Sequence, residues 1–201
     1  MNKTSNISVV ILAAGASKRM GTPKQLLKWG DSTLLSNAIE TALKLQIKEV
    51  IVVLGANYNL IKKTIHHYPV TILNNKDWHN GLGKSLAFGV THLMHSKQIV
   101  NGCLITLADQ PFIKNNFLNT LIEEFNKNKY SILATSYKNK TSGVPVVFDK
   151  KYFNELVKLN SDKGAKEIIN KYLSEVKNIT PQLRNIDIDT LQDYEEHISK
   201  K

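Results

Sequence analysis

The chain contains little cysteine and no long apolar segment. Cys103, its one cysteine, has no partner for a disulfide within the chain and cannot form a zinc site by itself. The longest apolar runs, residues 9–14 and 50–54, are far shorter than the ~20 residues that a membrane-spanning helix needs. Residues 1–8 are mostly polar and lack the apolar core of a secretion signal. We therefore expect a protein of the reducing cytoplasm with no membrane association.

Arginine is also scarce, although the chain is strongly basic. There are 27 Lys and Arg against 17 Asp and Glu, a net charge of +10, yet only two of the basic residues are Arg. Residues 1–100 carry 12 basic and 4 acidic side chains, a balance of +8, while residues 101–201 carry 15 and 13, a balance of +2. Proteins that bind nucleic acid use arginine to contact phosphate and guanine. We expect no nucleic acid as a partner, and a small anion is a sufficient ligand for the basic half.

Strands and helices alternate along most of the chain, which predicts an α/β fold. The predicted strands are residues 7–13, 50–54, 70–73, 103–108 and 130–135, and helical spacing of apolar residues lies between them. The pattern then changes to a strand at 144–148, short helices at 152–159 and 165–172, and a small strand at 186–188. We expect one domain over residues 1–201, with a mostly parallel central sheet between two layers of helices.

The loop after the first predicted strand has the residues of a phosphate-binding loop. Gly15 and Gly21 allow close approach of a ligand to the backbone, and Arg19 and Lys24 supply positive charge. Five residues separate the two glycines and no Lys follows the second, so this is not a Walker A loop, and G-x-G-x-x-G is absent. A strand-to-helix loop with solvated charges is the alternative at this point.

Several segments, in order along the chain, carry a resemblance to one family. They are LAAGASKRMGTPKQLL, GLGKSL, LADQP, GVP followed by VF, and DIDTLQDY, and they span residues 12–194. Together they resemble the nucleotidyltransferase family that contains molybdenum-cofactor cytidylyltransferase, within the MobA-like NTP transferase superfamily. NSDKGAKEII resembles the GD-x-G-A-R segment of that subgroup, with Asn160-Ser161-Asp162 and Lys166 as departures from it. Leu191-Gln192 departs from the Pro-Glu of the last motif.

The resemblance implies a three-layer, Rossmann-like nucleotide-diphospho-sugar transferase fold and a defined reaction. The expected reaction transfers CMP from CTP to a phosphorylated acceptor, molybdopterin being favoured, and releases pyrophosphate with the help of Mg²⁺. A sugar or alditol phosphate is the alternative acceptor. A non-catalytic nucleotide-binding protein that assists the maturation of molybdenum enzymes is a further alternative. The resemblance also implies a protein partner, a molybdenum enzyme that would receive the product.

The resemblance also assigns roles to individual residues. Arg19 and Lys24 would bind the triphosphate, and Asp109 and Asp189 would bind the metal, with Asp187 as the competitor of Asp189. Arg19, Lys24 and Asp109 are therefore the expected catalytic residues. Gln110 would orient the ribose or the second phosphate. The expected nucleotide-binding residues are Leu12, Ala13, Ala14, Gly15, Arg19, Lys24, Gly81, Ser85 and Asp109.

Overall fold

The continuous apolar runs form the centre of a seven-stranded sheet in the computed structural model, which describes residues 5–137, 141–182 and 186–198. The strands are β1 (Ile7–Ala13), β2 (Lys28–Trp29), β3 (Ser32–Thr33), β4 (Val50–Leu54), β5 (Thr71–Asn74), β6 (Gly102–Leu107), β7 (Ile132–Ser136), β8 (Ser142–Asp149) and β9 (Val176–Ile179). The order in the large sheet is β5-β4-β1-β6-β8-β7-β9. β8 is antiparallel to both neighbours and the other pairs are parallel, so the expected mostly parallel sheet is confirmed.

Helices cover both faces of this sheet. They are α1 (Leu34–Leu43), α2 (Tyr58–Ile65), α3 (Leu82–His95), α4 (Asn115–Asn126), α5 (Phe153–Leu156), α6 (Ala165–Lys171) and α7 (Leu191–Ile198). On β1, Val9 and Ile11 pack in one core with α1, α2 and α4, while Val10 and Leu12 pack in another with α3, α5 and α6. Successive side chains of a strand point to opposite faces, so an all-apolar strand is suited to a sheet covered on both sides.

Three short regions differ from the sequence prediction. Residues 186–188 do not form the predicted small strand, which was wrong; the Ile188 N–H donates to the Asp109 carbonyl, and its side chain packs with Trp29 and Leu34. The alternation of Ile and Asp there reflects one buried side chain between two acids, and not a sheet ladder. β9 and the β2–β3 hairpin were not predicted. Among the described residues, no helix is long and apolar enough to cross a membrane.

Candidate functional site

A cavity of about 390 Å³ opens at the edge of the sheet where β1 and β6 end. Parallel strands place their carboxyl ends at the same edge, which is where ligands bind in sheets of this type. The cavity brings together nearly all of the predicted site residues. Those that line it are Leu12, Ala13, Ala14, Gly15, Lys24, Gly81, Ser85, Asp109 and Asp189, together with the competitor Asp187.

Arg19 is the predicted residue that does not line this cavity. Its side chain is 69% exposed, and its Nη2 lies 3.2 Å from Oδ2 of Asp189, which does line the cavity. Arg19 therefore lies at the rim, where a long, mobile side chain can reach a ligand that extends out of the cavity.

The loop that carries Lys24 is held in place by the neighbouring Gln25. The Gln25 side-chain amide donates 2.8 Å hydrogen bonds to the carbonyl oxygens of both Ala13 and Gly15, and Gln25 is only 2% exposed. The Lys24 N–H donates to Oγ of Ser17 at 2.9 Å. A buried polar side chain that satisfies two carbonyl groups fixes the loop to the end of β1. Sequence reasoning missed Gln25, because no local pattern indicates which backbone it will contact.

Lys24 lies between two carboxylates from distant parts of the chain. Its Nζ forms an ion pair with Oδ2 of Asp109 and lies 3.1 Å from Oδ1 of Asp189. The Lys24 and Asp109 side chains are mostly buried, at 20% and 13% exposed. Burial disfavours the charged ammonium, but Asp109 and Asp189 outweigh burial and raise the pKa of Lys24. Burial alone would raise the pKa of Asp189, yet Lys24 and Arg19 lower it. Lys24 and Asp189 are therefore both charged at neutral pH.

Asp187 has the opposite electrostatic environment. It lies in the cleft, where its side chain reaches solvent but has protein on most sides, and this partial removal of water and the charge of Asp109 raise its pKa. The Gln110 amide donates to Oδ1 of Asp187 at 2.8 Å and to the Tyr137 hydroxyl at 3.0 Å. Gln110 is 4% exposed, so in this structure it orients Asp187 and does not itself face the cavity.

Asp109 could supply one ligand of a metal site that the described residues alone do not complete. Its Oδ1 is buried and has no hydrogen-bond partner among the described residues, which is unfavourable for a carboxylate unless a ligand completes the site. No group of three His, Cys, Asp or Glu side chains in the described ranges is arranged to hold a metal ion. Mg²⁺ often takes one or two carboxylates and obtains its other oxygens from phosphates and water. The carboxylates present fit a metal that arrives with a polyphosphate.

Residues 81–83, the glycine segment at the start of α3, lie at another part of the cavity wall. Gly81 has a φ of +98°, and a Cβ there would lie 2.5 Å from Oδ1 of Asp162. The Gly83 N–H donates to the Ser161 carbonyl at 2.8 Å. The hydroxyl of buried Ser85 accepts a 3.0 Å hydrogen bond from Asn75. Glycine is needed here because the backbone of residues 161–162 occupies the space that a side chain would take.

Comparison with known proteins points to one family. The sequence model of the MobA-like NTP transferase domain matches residues 9–176. Nicotine blue oxidoreductase of Paenarthrobacter nicotinovorans is 30% identical over 92% of this chain and 93% of that protein. Molybdenum cofactor cytidylyltransferase of Escherichia coli K12 is 32% identical over 53% of each chain. Rv0371c of Mycobacterium tuberculosis H37Rv superposes with a TM-score of 0.85 at 26% identity, covering 98% of this chain and 99% of that one. A complex of Rv0371c with manganese superposes with a TM-score of 0.81 at 24% identity, covering 97% and 99% of the two chains.

The contrast between Asp187 and Asp189 predicts stability changes of opposite sign. Because the folded-state pKa of Asp187 lies above its ordinary value of 3.8, ionised Asp187 disfavours the fold, and Asp187→Asn should stabilise the metal-free protein at pH 7. Because the folded-state pKa of Asp189 lies below 3.8, Asp189→Asn should destabilise it at pH 7.

Urea denaturation in the presence of EDTA measures both effects. The gain in Asp187→Asn should shrink as pH falls through the raised pKa, and the loss in Asp189→Asn should shrink as pH falls below 3.8. Each variant is the control for the other, since both remove one negative charge two residues apart. Changes of the same sign at pH 7 would contradict the electrostatic description of the site.

Proposed function

This chain belongs to the MobA-like NTP transferase family and is a nucleotidyltransferase, and we propose that it transfers CMP from CTP to a phosphorylated small molecule, with molybdopterin as the favoured acceptor. The observation that carries the proposal is the cluster of Lys24, Asp109 and Asp189 in a cavity at the carboxyl edge of the sheet. The E. coli relative, named for cytidylyl transfer to molybdenum cofactor, supports the choice of nucleotide and acceptor.

The proposed reaction depends on alignment of the two substrates and on neutralisation of phosphate charge more than on proton transfer. An oxygen of the acceptor phosphate bonds to the α-phosphorus of CTP, the bond from that phosphorus to the β-phosphate oxygen breaks, and pyrophosphate leaves with the electron pair. The nucleophile is already anionic, so catalysis rests on alignment and on neutralising the phosphates. We assign this neutralisation to Lys24 from within the cavity and to Arg19 from its rim.

The base and ribose are assigned to the backbone at the end of β1 and to the glycine segment. Residues 12–15 line one side of the cavity, while Gly81 and Ser85 line another. Gln25 holds the carbonyl groups of Ala13 and Gly15, so this side is rigid before a nucleotide arrives. A rigid, preformed wall lowers the entropic cost of binding.

We assign Mg²⁺ to Asp109 and Asp189, with Asp187 as the alternative second ligand. The unpartnered Oδ1 of Asp109 supports this assignment, as do the acids on both sides of Lys24. Mg²⁺ would supply positive charge to the transferring phosphate and to the leaving pyrophosphate. Rv0371c, which shares this fold, has been solved with manganese, which is compatible with a divalent cation.

An oxidoreductase is the second candidate, because the similarity to nicotine blue oxidoreductase extends over 92% of this chain. Hydride transfer does not require paired carboxylates next to phosphate-binding cations, whereas nucleotidyl transfer uses both. The charged cluster therefore favours the transferase.

The deciding experiment is a substrate panel with purified protein and Mg²⁺. CTP, GTP, ATP and UTP are each combined with molybdopterin or with sugar and alditol phosphates, and pyrophosphate and product mass are measured. We expect turnover with CTP and molybdopterin. Turnover with sugar phosphates alone would refute the acceptor, and nucleotide binding without turnover would favour an accessory protein. In a separate assay, oxidation of NADH or NADPH with nicotine blue as the electron acceptor, without pyrophosphate release, would favour the oxidoreductase.

Replacing Asp109 should abolish most of the activity. Asp109→Asn keeps the size of the side chain but removes a charge from the proposed metal site, so turnover should fall by about 100-fold or more. Asp31→Asn, at an exposed position in the β2–β3 turn, is the matched control and should retain activity. Circular dichroism tests that both variants fold. Near-normal turnover of Asp109→Asn would refute the metal assignment.

Replacing Lys24 should change metal binding in the absence of nucleotide. The Lys24 ammonium already neutralises Asp109 and Asp189, so it competes with any other cation for them. Lys24→Gln should bind Mn²⁺ about tenfold more tightly than the unaltered protein, a difference of about 1.4 kcal/mol, while binding CTP more weakly. Titration followed by electron paramagnetic resonance measures free Mn²⁺.

The exposed Lys28 provides the control for that experiment, since Lys28→Gln removes the same charge four residues away. Its Mn²⁺ affinity should match that of the unaltered protein. Equal tightening in both variants would mean that net charge, and not the position of Lys24, controls metal binding.

A further inference from the structure

A second cavity of about 600 Å³ adjoins the first. The two cavities share four lining residues, Leu82, Leu107, Asp162 and Asp187. A molecule in the second cavity would therefore lie next to Asp187, on the same side of the sheet edge as Asp109. A volume of this size is that of a small-molecule site.

Hydrogen bonds connect one side of this second cavity to Asp187, which lines both cavities. Tyr137 and Val144 line it, and the Tyr137 hydroxyl donates to the Val144 carbonyl. The Gln110 amide donates to the same hydroxyl at 3.0 Å and to Asp187 at 2.8 Å. These hydrogen bonds hold Tyr137 and Val144, whose apolar groups line this side, in position relative to Asp187.

The other side carries two lysines that pair with no acid in the described residues. Lys163 and Lys166 both line the cavity and both are exposed, and neither takes part in an ion pair within the described ranges. The neighbouring acid, Glu167, accepts instead from the Ser161 hydroxyl at 3.0 Å. Four other lysines of this half of the chain have glutamate partners, Lys127, Lys151, Lys171 and Lys177, whereas Lys129, Lys150 and Lys158 form no ion pair with the described residues and do not line this cavity.

The segment that bears the two lysines is docked on the nucleotide cavity. Ser161 accepts the Gly83 N–H, and Asp162 lies against Gly81. Lys163 and Lys166 follow directly in sequence. Their side chains line the second cavity on the side away from the lysine-free wall of Tyr137 and Val144, so an anionic group bound between these sides would lie within reach of both ammonium groups.

We propose that the second cavity is the acceptor subsite of the transferase and that Lys163 and Lys166 bind the phosphate of a phosphorylated acceptor that carries an apolar or aromatic ring. This inference rests on the proposed function. Lysine suits the role because its mobile, point-like charge can follow a phosphate that must move towards the neighbouring cavity. The ring would lie against Tyr137, Val144 and Leu82, which offer apolar contact.

The test uses phenyl phosphate as the probe and calorimetry as the readout. The protein is saturated with Mg²⁺ and a non-hydrolysable CTP analogue, so that the first cavity is filled. Phenyl phosphate should bind to this complex, whereas phenol, which has no phosphate, should not. The double variant Lys163→Gln/Lys166→Gln should weaken phenyl phosphate binding by about tenfold, and the arginine double variant should restore it.

A matched control removes the same charge elsewhere. Lys62→Gln/Lys63→Gln changes two exposed lysines of α2 and should leave probe affinity unchanged. Equal weakening by both double variants, or competition between phenyl phosphate and the CTP analogue, would overturn the proposal. In steady-state assays the Lys163/Lys166 variant should raise the acceptor KM with the CTP KM unchanged.

The same measurements separate this inference from the proposed function. If the CTP analogue fails to bind, the proposed function fails, and the probe is then titrated into the protein alone. Lysine-dependent binding of phenyl phosphate to the free protein would still support an anion subsite. If the analogue binds and the probe does not, the acceptor subsite is refuted and the nucleotide assignment stands.

Discussion

The contact of the Lys24 ammonium with Asp109 and Asp189 is the interaction on which the site depends. It joins the loop after β1, the end of β6 and the segment before α7, three regions far apart in sequence. Ion pairs of this kind gain little stability, because removing charges from water offsets most of the attraction. Their value here is that Asp109 and Asp189 have a counter-ion before a ligand arrives, and under the proposed function a metal bound to a polyphosphate would take its place.

The central strands could be predicted because each is buried on both faces and therefore almost entirely apolar, as in β4 and in β1, where Ser8 is the one polar residue. β9 could not, because Val176–Ile179 is a four-residue edge strand with half-exposed and polar side chains. The opposite error at residues 186–188 has a related cause. Alternation of apolar and acidic residues is compatible with a strand, but the N–H of Ile188 bonds to the single carbonyl of Asp109, and its side chain fills a separate small core.

The residues of the candidate site were predicted better than the contacts that hold them. Family motifs indicate Lys24 and Asp109, and the structure brings both into one cavity. Gln25 and Gln110 lie within two of the family motifs, but their hydrogen-bond partners become neighbours only after folding, so the motifs do not indicate what each amide contacts. The assigned roles of all these residues stay predictions, since proximity establishes which groups can act together and not which step each one performs.

The glycines at the start of α3 explain why the two cavities adjoin each other. A Cβ at Gly81 or Gly83 would come within 2.7 to 2.9 Å of the backbone of residues 161–162, so the two segments are in direct contact. Under the proposed function, a nucleotide that displaced the glycine segment would also displace the segment bearing Lys163 and Lys166. Close-packed segments transmit such displacements because they have no free volume to absorb them. Under the proposed function, occupation of the first cavity would therefore adjust the wall of the second, which would give ordered binding a structural basis.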